Sequence, residues 1–163
     1  MDHFYEQLVT TNKTGFYKTV KAATYVLGFF GIIIFSMNFI LAILILVVAA
    51  TGFFYKQKLF VEYEYQFTNG DIDIEKILEM KKRKKVTTFN MKEVALLAAE
   101  NSVFVKDFSN KPRDIVKCYN ATEEALVYVA MVTEGNNKMQ LMFTPNEKFL
   151  DHCYRSNPRV VKK

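Results

Sequence analysis

The densest chemistry in this 163-residue sequence is electrostatic: Lys81-Lys82-Arg83-Lys84-Lys85 sets five cations side by side. Beside an anionic leaflet each such cation gains about 1 kcal/mol, an effect that decays over roughly 10 Å at physiological salt. The run equally suits a solvated strand end, where lysines discourage edge pairing, or a protein or nucleic-acid partner. Elsewhere the excess vanishes. Residues 56–163 carry 19 basic and 15 acidic residues, so the run accounts for the whole surplus. A general nucleic-acid binder spreads its charge over a face, and that class is not expected.

Groups that catalyse or hold metals are sparse. The chain has no glycine-rich phosphate loop, no G-x-S-x-G and no H-E-x-x-H, and only two histidines. His152 and Cys153 are neighbours, and on a helix neighbours point about 100° apart, which disfavours nucleophile activation or shared ligation. His3 lacks a sequence partner and reads as solvated. Asp71, Asp73 and Glu75 alternate and can gather a cation; the same pattern describes the wet side of a β-hairpin, which is preferred. Glu123-Glu124 reads as a polar turn. Cys118 and Cys153 lie far apart without C-x-x-C or Cys/His spacing, so a reducing compartment is the simplest home. No catalytic residue, cofactor site or metal site is expected, and the chain reads as non-enzymatic.

The element that must position the basic run is the stretch 22–55, which contains no Asp, Glu, Lys or Arg. One helix of that length would reach about 51 Å against roughly 30 Å of bilayer hydrocarbon. Two spans fit better, at 20–36 and 39–55, broken at Ser36-Met37-Asn38. Lys13, Lys18 and Lys21 precede the stretch, Lys56 and Lys58 follow it, and the break carries no charge. This bias places both ends in the cytoplasm. A buried hairpin of a soluble protein would need more amphipathic partner sequence than the chain supplies. Tyr25 and Phe53-Phe54-Tyr55 suit interfacial positions. The stretch starts too late and runs too long for a cleaved signal peptide. Gly28, Gly31, Ala42, Ala49 and Gly52 offer close helix contacts, within the hairpin or in self-assembly.

Residues 1–19 read either as a short interfacial helix, with Phe4 and Leu8 on one face, or as a frayed terminus. After the hairpin, LFVEYEYQF (59–67) alternates as a half-buried strand with Glu62, Glu64 and Gln66 on its wet side. Thr68-Asn69-Gly70 turns it into a strand from Asp71 through Leu78, and Val86–Phe89 resembles the next partner. In Met91–Ala99 the alanines and leucines favour helix while the position between strands favours sheet, and an extended or irregular segment is preferred. Ser102–Phe108 and Asp114–Tyr119 are strand candidates split by a turn at Asn110-Lys111-Pro112. Ala125–Thr133 and Lys138–Phe143 form a second hairpin around Glu134–Asn137. Thr144 then suits an N-cap, Pro145 the first helical position and Glu147 a capping box, with helix continuing until Asn157-Pro158. The tail from Val160 is expected to fray. Residues 59–157 thus form one domain of six or seven antiparallel strands closed by a helix, with 158–163 as a tail.

Two spans, then VEYEYQFTNGDIDIEKI, the Lys/Arg run, a strand series and a proline-started helix resemble small bacterial membrane proteins with a pleckstrin-homology-like (PH-like) domain. More narrowly, the chain is similar to a family, without an established activity, of short two-span proteins from clostridia-type Gram-positive bacteria. The resemblance implies an α+β membrane protein: a transmembrane helical hairpin followed by a C-terminal, partly open PH-like barrel. Lipid-binding PH domains carry their basic residues between the first two strands, where this chain has Thr68-Asn69-Gly70-Asp71, so phosphoinositide-specific recognition is not implied. The expected role is a multi-pass cell-membrane protein holding an interaction domain at the cytoplasmic surface. Its expected partners are the lipid bilayer, anionic lipid through Lys81–Lys85, and a protein or a second copy. The alternative is an accessory subunit of a membrane enzyme or transporter whose site forms only with a partner.

Overall fold

The computed structural model describes residues 4–10, 14–109, 111–120, 126–135 and 137–162; His3, Lys13, Asn110, Glu123, Glu124, Ala125, Asn136 and Lys163 lie outside them. The chain divides into two compact units. One comprises Thr11–Val61 with Leu78–Lys82, the other Met1–Thr10, Glu62–Ile77 and Arg83–Lys163.

In the first unit, α1 (Thr14–Ile34) and α2 (Phe39–Leu59) each run 21 residues, about 31 Å of helix. They break where the sequence turns polar. Asn38 takes an extended conformation and its side chain accepts the Leu41 N–H at 3.0 Å, an N-cap that restarts the helix. Both helices pass the expected limits of 20–36 and 39–55 at their charged ends, so Lys18, Lys56 and Lys58 are helical as well as Lys21. Small residues set the packing between them. A Cβ on Gly31 would meet Leu46 at 2.9 Å and one on Gly52 would meet Thr24 at 2.7 Å, and Ala42 and Ala49 are buried. A Cβ on Gly28 would meet nothing within 4 Å.

In the second unit, β1 (Phe4–Val9), β2 (Val61–Thr68), β3 (Asp71–Leu78) and β4 (Lys82–Asn90) form one sheet in chain order. Within the expected interfacial helix or frayed end of residues 1–19, residues 14–19 open α1, while Phe4–Val9 is therefore a strand. Its side chains alternate in burial, and it pairs antiparallel with β2 from Phe4↔Thr68 to Val9↔Tyr63. A partner some sixty residues away supplies the order that local helical spacing suggested. With β1 on one side and β3 on the other, β2 is an inner strand. Glu62 and Glu64 are buried with it, contrary to the expected wet side.

The other sheet comprises β5 (Val94–Ala99), β6 (Asp114–Lys117), β7 (Tyr128–Glu134), β8 (Asn137–Phe143) and β9 (Val161–Lys162), ordered β6-β8-β7-β5-β9. Two pairings are parallel, β6 with β8 and β5 with β9, so the described residues form nine strands, not all of them antiparallel; the two sheets do not close into one barrel. The supposed frayed tail is β9, which Val160 anchors by accepting the Leu97 N–H at 2.8 Å. Within Ser102–Phe108 the backbone forms a helical turn, α3 (Val103–Lys106), instead of a strand, because Ser102 caps the Val105 N–H at 3.3 Å.

The closing helix, α4 (Glu147–Ser156), is capped by Asn146, whose side chain accepts the Phe149 N–H at 2.8 Å. Thr144, the expected cap, is committed elsewhere: its N–H reaches the Tyr65 hydroxyl at 3.3 Å and its carbonyl accepts from Gln7 at 2.9 Å. Phe149 projects from α4 into a cluster of rings, with centroids 6.0–6.3 Å from Tyr5, Tyr65, Phe67 and Phe143. Tyr65 binds the two sheets together. It is fully buried, packs edge-on against Phe143 at 5.5 Å and donates its hydroxyl to the Cys118 carbonyl. Tyr65→Phe removes that hydroxyl, leaving the Cys118 carbonyl and the Thr144 N–H short of a partner in the core. The expected loss is about 1–3 kcal/mol, read from the chemical denaturation midpoint, with no change in the strand signal of the folded protein.

Candidate functional site: a divided basic run and a lysine pocket

The basic run begins in the turn between β3 and β4 and enters β4 at Lys82. In a strand successive side chains point to opposite faces, and the alternation splits the run. Arg83 reaches the Glu64 carboxylate on β2 and lies 3.6 Å from Glu75 on β3, while Lys85 lies 2.8 Å from Asp73. Their partners are the alternating acids of the sequence. Asp73 also accepts from Thr88, and Asp71 accepts from Asn90 at 2.6 Å. These acids therefore form a cross-strand ladder, and no group suited to a metal ion occurs among the described residues.

The carboxyls respond as their neighbours dictate. Hydrogen bonds from Lys85 and Thr88 hold Asp73 below its ordinary range. Burial pushes Glu64 above it, helped by a hydrogen bond with Glu6 and opposed by the Arg83 charge. Lys81, Lys82 and Lys84 form no ion pair among the described residues, so three of the five cations are free to act on something else.

The turn preceding the run was not legible as a site. Glu79 and Met80 both take left-handed φ, 51° and 57°, and the Lys81 N–H closes on the Leu78 carbonyl at 3.0 Å. A two-residue hairpin loop needs this twist, yet non-glycine residues pay about 1 kcal/mol or more for it. Two contacts fix the turn within its unit. The Glu79 N–H donates to the Phe60 carbonyl at 3.1 Å, and the Glu79 carboxylate meets Lys56 at 3.1 Å while accepting the Tyr17 hydroxyl at 2.9 Å. Lys56, in the last turn of α2, is only 3% exposed. Its ammonium also sits over the ring faces of Phe53 and Tyr25, at 4.3 and 5.3 Å. Burial alone would raise the Glu79 carboxyl, but hydrogen bonds from Lys56 and Tyr17 outweigh it and hold it below its ordinary value.

Around this pair lies a cavity of about 300 Å³ lined by Tyr17, Lys21, Tyr25, Lys56, Phe60, Glu79, Met80 and Lys81. The two cysteines are poor nucleophiles. Cys118 and Cys153 are unpaired and buried, and burial pushes both thiols up to about 12, far from the thiolate form that reacts.

Glu79→Gln keeps the acceptor for Tyr17 but strands the buried ammonium of Lys56, and should cost about 1–3 kcal/mol. The sign with pH follows. A carboxyl held below its ordinary value of 4.5 stabilises the fold above that pH and loses the contribution as pH falls through its lowered folded value. Melting temperatures in detergent from pH 7 to pH 3.5 should therefore fall less steeply for Glu79→Gln than for the parent.

A protein-family model described as Bacterial PH-like domain (DUF6106) matches residues 1–163. The match corrects the expectation that the PH-like part is confined to the C-terminal side of the helices, and it does not carry the clostridial origin. No curated protein and no solved structure matches the chain. With strands on both sides of the helical pair in sequence, and a match over its whole length, the chain belongs to the bacterial PH-like domain family.

Proposed function

We propose that the chain is a non-enzymatic, multi-pass membrane protein whose two helices insert as a hairpin with both termini cytoplasmic, and whose PH-like part contacts anionic lipid or a protein at the inner surface. One observation carries this reading: the surface of the helical pair is inverted. Phe29, Ile32 and Ile40 are 64%, 70% and 74% exposed, while Thr24 is buried. An apolar surface of this extent is tolerated in water only when covered. Both helices also have the length and composition to cross a bilayer.

The family supports an interaction role, and the absence of catalytic motifs from the sequence keeps enzymatic chemistry out of the proposal. Lys82 and Lys84 supply the surface attraction, since Arg83 and Lys85 are occupied by carboxylates. The full chain reconstituted in nanodiscs, carrying a fluorophore at Asn90→Cys, tests this with a headgroup-attached quencher. Quenching should be stronger in phosphatidylglycerol-rich discs than in phosphatidylcholine discs. It should lose that difference in Lys82→Gln/Lys84→Gln and at salt high enough to shrink the screening length to roughly 3 Å. Equal quenching in both lipids would refute the anionic-lipid contact.

A further inference from the structure

We infer that the cavity between the ends of the helical pair and the β3–β4 turn is a binding site for a phosphate group, held by Lys21 and Lys81. The inference rests on the reading of the helices as a membrane hairpin and goes beyond it by naming a ligand class for one pocket.

Charge and shape converge on this assignment. Of the three lysines that line the cavity, Lys56 already has its counter-charge in Glu79 at 3.1 Å. Lys21 and Lys81 have no ion pair among the described residues, and although the Lys21 charge is felt at Glu79, three lysines against one carboxylate leave the cavity with a net excess of two positive charges. Lysine is a compact point charge suited to phosphate, whose several oxygens accept from donors arriving on different sides. Here the donors come from different elements, Lys21 from α1 and Lys81 from the turn. Tyr17 steers one of them, its ring lying 5.8 Å from the Lys21 ammonium.

The turn has been built at a cost, with two left-handed non-glycine residues, and that geometry sets Lys81 at the cavity while Glu79 faces Lys56. Tyr17, Tyr25 and Phe60 give the cavity apolar walls, and Met80, 69% exposed, forms its lip. A volume of about 300 Å³ lies at the lower end of small-ligand sites, enough for a phosphate and the first atoms attached to it. Lys21 immediately precedes the uncharged stretch, the level at which lipid phosphates lie if the helices are inserted. The phosphate can therefore belong to an acidic phospholipid or to a soluble phosphate compound, and the two sources separate by experiment.

The full chain in phosphatidylcholine nanodiscs is titrated with short-chain phosphatidylglycerol and, separately, with inorganic phosphate, with bound ligand counted by native mass spectrometry. Saturable uptake of one phosphatidylglycerol per chain, weakened at least about tenfold in Lys21→Gln/Lys81→Gln and retained in Lys21→Arg/Lys81→Arg, supports a lipid headgroup. Saturable binding of inorganic phosphate with the same dependence on both lysines supports a soluble source. Lys82→Gln/Lys84→Gln, which leaves the cavity intact, should keep the site occupied. Uptake that does not saturate, or that survives Lys21→Gln/Lys81→Gln unchanged, overturns the assignment. Failure of the membrane reading shows separately, as a chain that does not co-elute with the discs; co-elution with lysine-independent binding overturns the pocket alone.

Discussion

Thirty-four consecutive residues without a formal charge constrain everything else in this chain. As one helix they would overreach a bilayer, and in water their apolar side chains would need a cover that the structure does not provide. The chain resolves the length by folding back at Asn38, whose side chain ends one helix's connection and starts the next. The fold-back in turn requires close helix approach, which Gly31 and Gly52 permit because a Cβ at either would collide with the facing helix. Of Gly28, Gly31, Ala42, Ala49 and Gly52, four are absorbed by this packing, while a Cβ on Gly28 would face open space.

A second constraint follows from extending α2 past its apolar run. Lys56 arrives on the helix with its ammonium buried, and a buried charge without a partner costs several kcal/mol. Glu79 answers it from the β3–β4 turn, whose left-handed conformation at Glu79-Met80 accompanies that placement of the carboxylate. The strain in the turn and the burial of Lys56 are thus one arrangement seen from two sides. The same arrangement leaves Lys21 and Lys81 without an ion pair among the described residues, around a single cavity.

Legibility in the sequence tracked the range of the interactions. The helical break at Ser36-Met37-Asn38, the Asn69-Gly70 turn, the β7–β8 hairpin and α4 were readable because each is fixed by neighbouring residues. Strand β1 and strand β9 were not, because their order comes from β2 and β5, distant in sequence. The cap of α4 was misplaced by two residues because Thr144 is claimed by Tyr65 and Gln7, contacts no local pattern encodes. In the basic run all five cations were visible, but not their division: pairing of Arg83 and Lys85 depends on strand alternation against β2 and β3. The Lys56–Glu79 pair left no trace, because its two members lie on different elements 23 residues apart and meet only in the folded unit.

If the helices are a spanning hairpin, the fold-back makes one chemical distinction between the two ends of the unit: Asn38 faces the opposite side of the membrane from the termini. Single cysteines at Asn38→Cys and Lys162→Cys, probed with a membrane-impermeant maleimide on intact cells and again after permeabilisation, read that distinction directly. Asn38→Cys should react on intact cells, and Lys162→Cys only after permeabilisation. Protection of Asn38→Cys on intact cells with labelling from the inside would contradict a spanning hairpin.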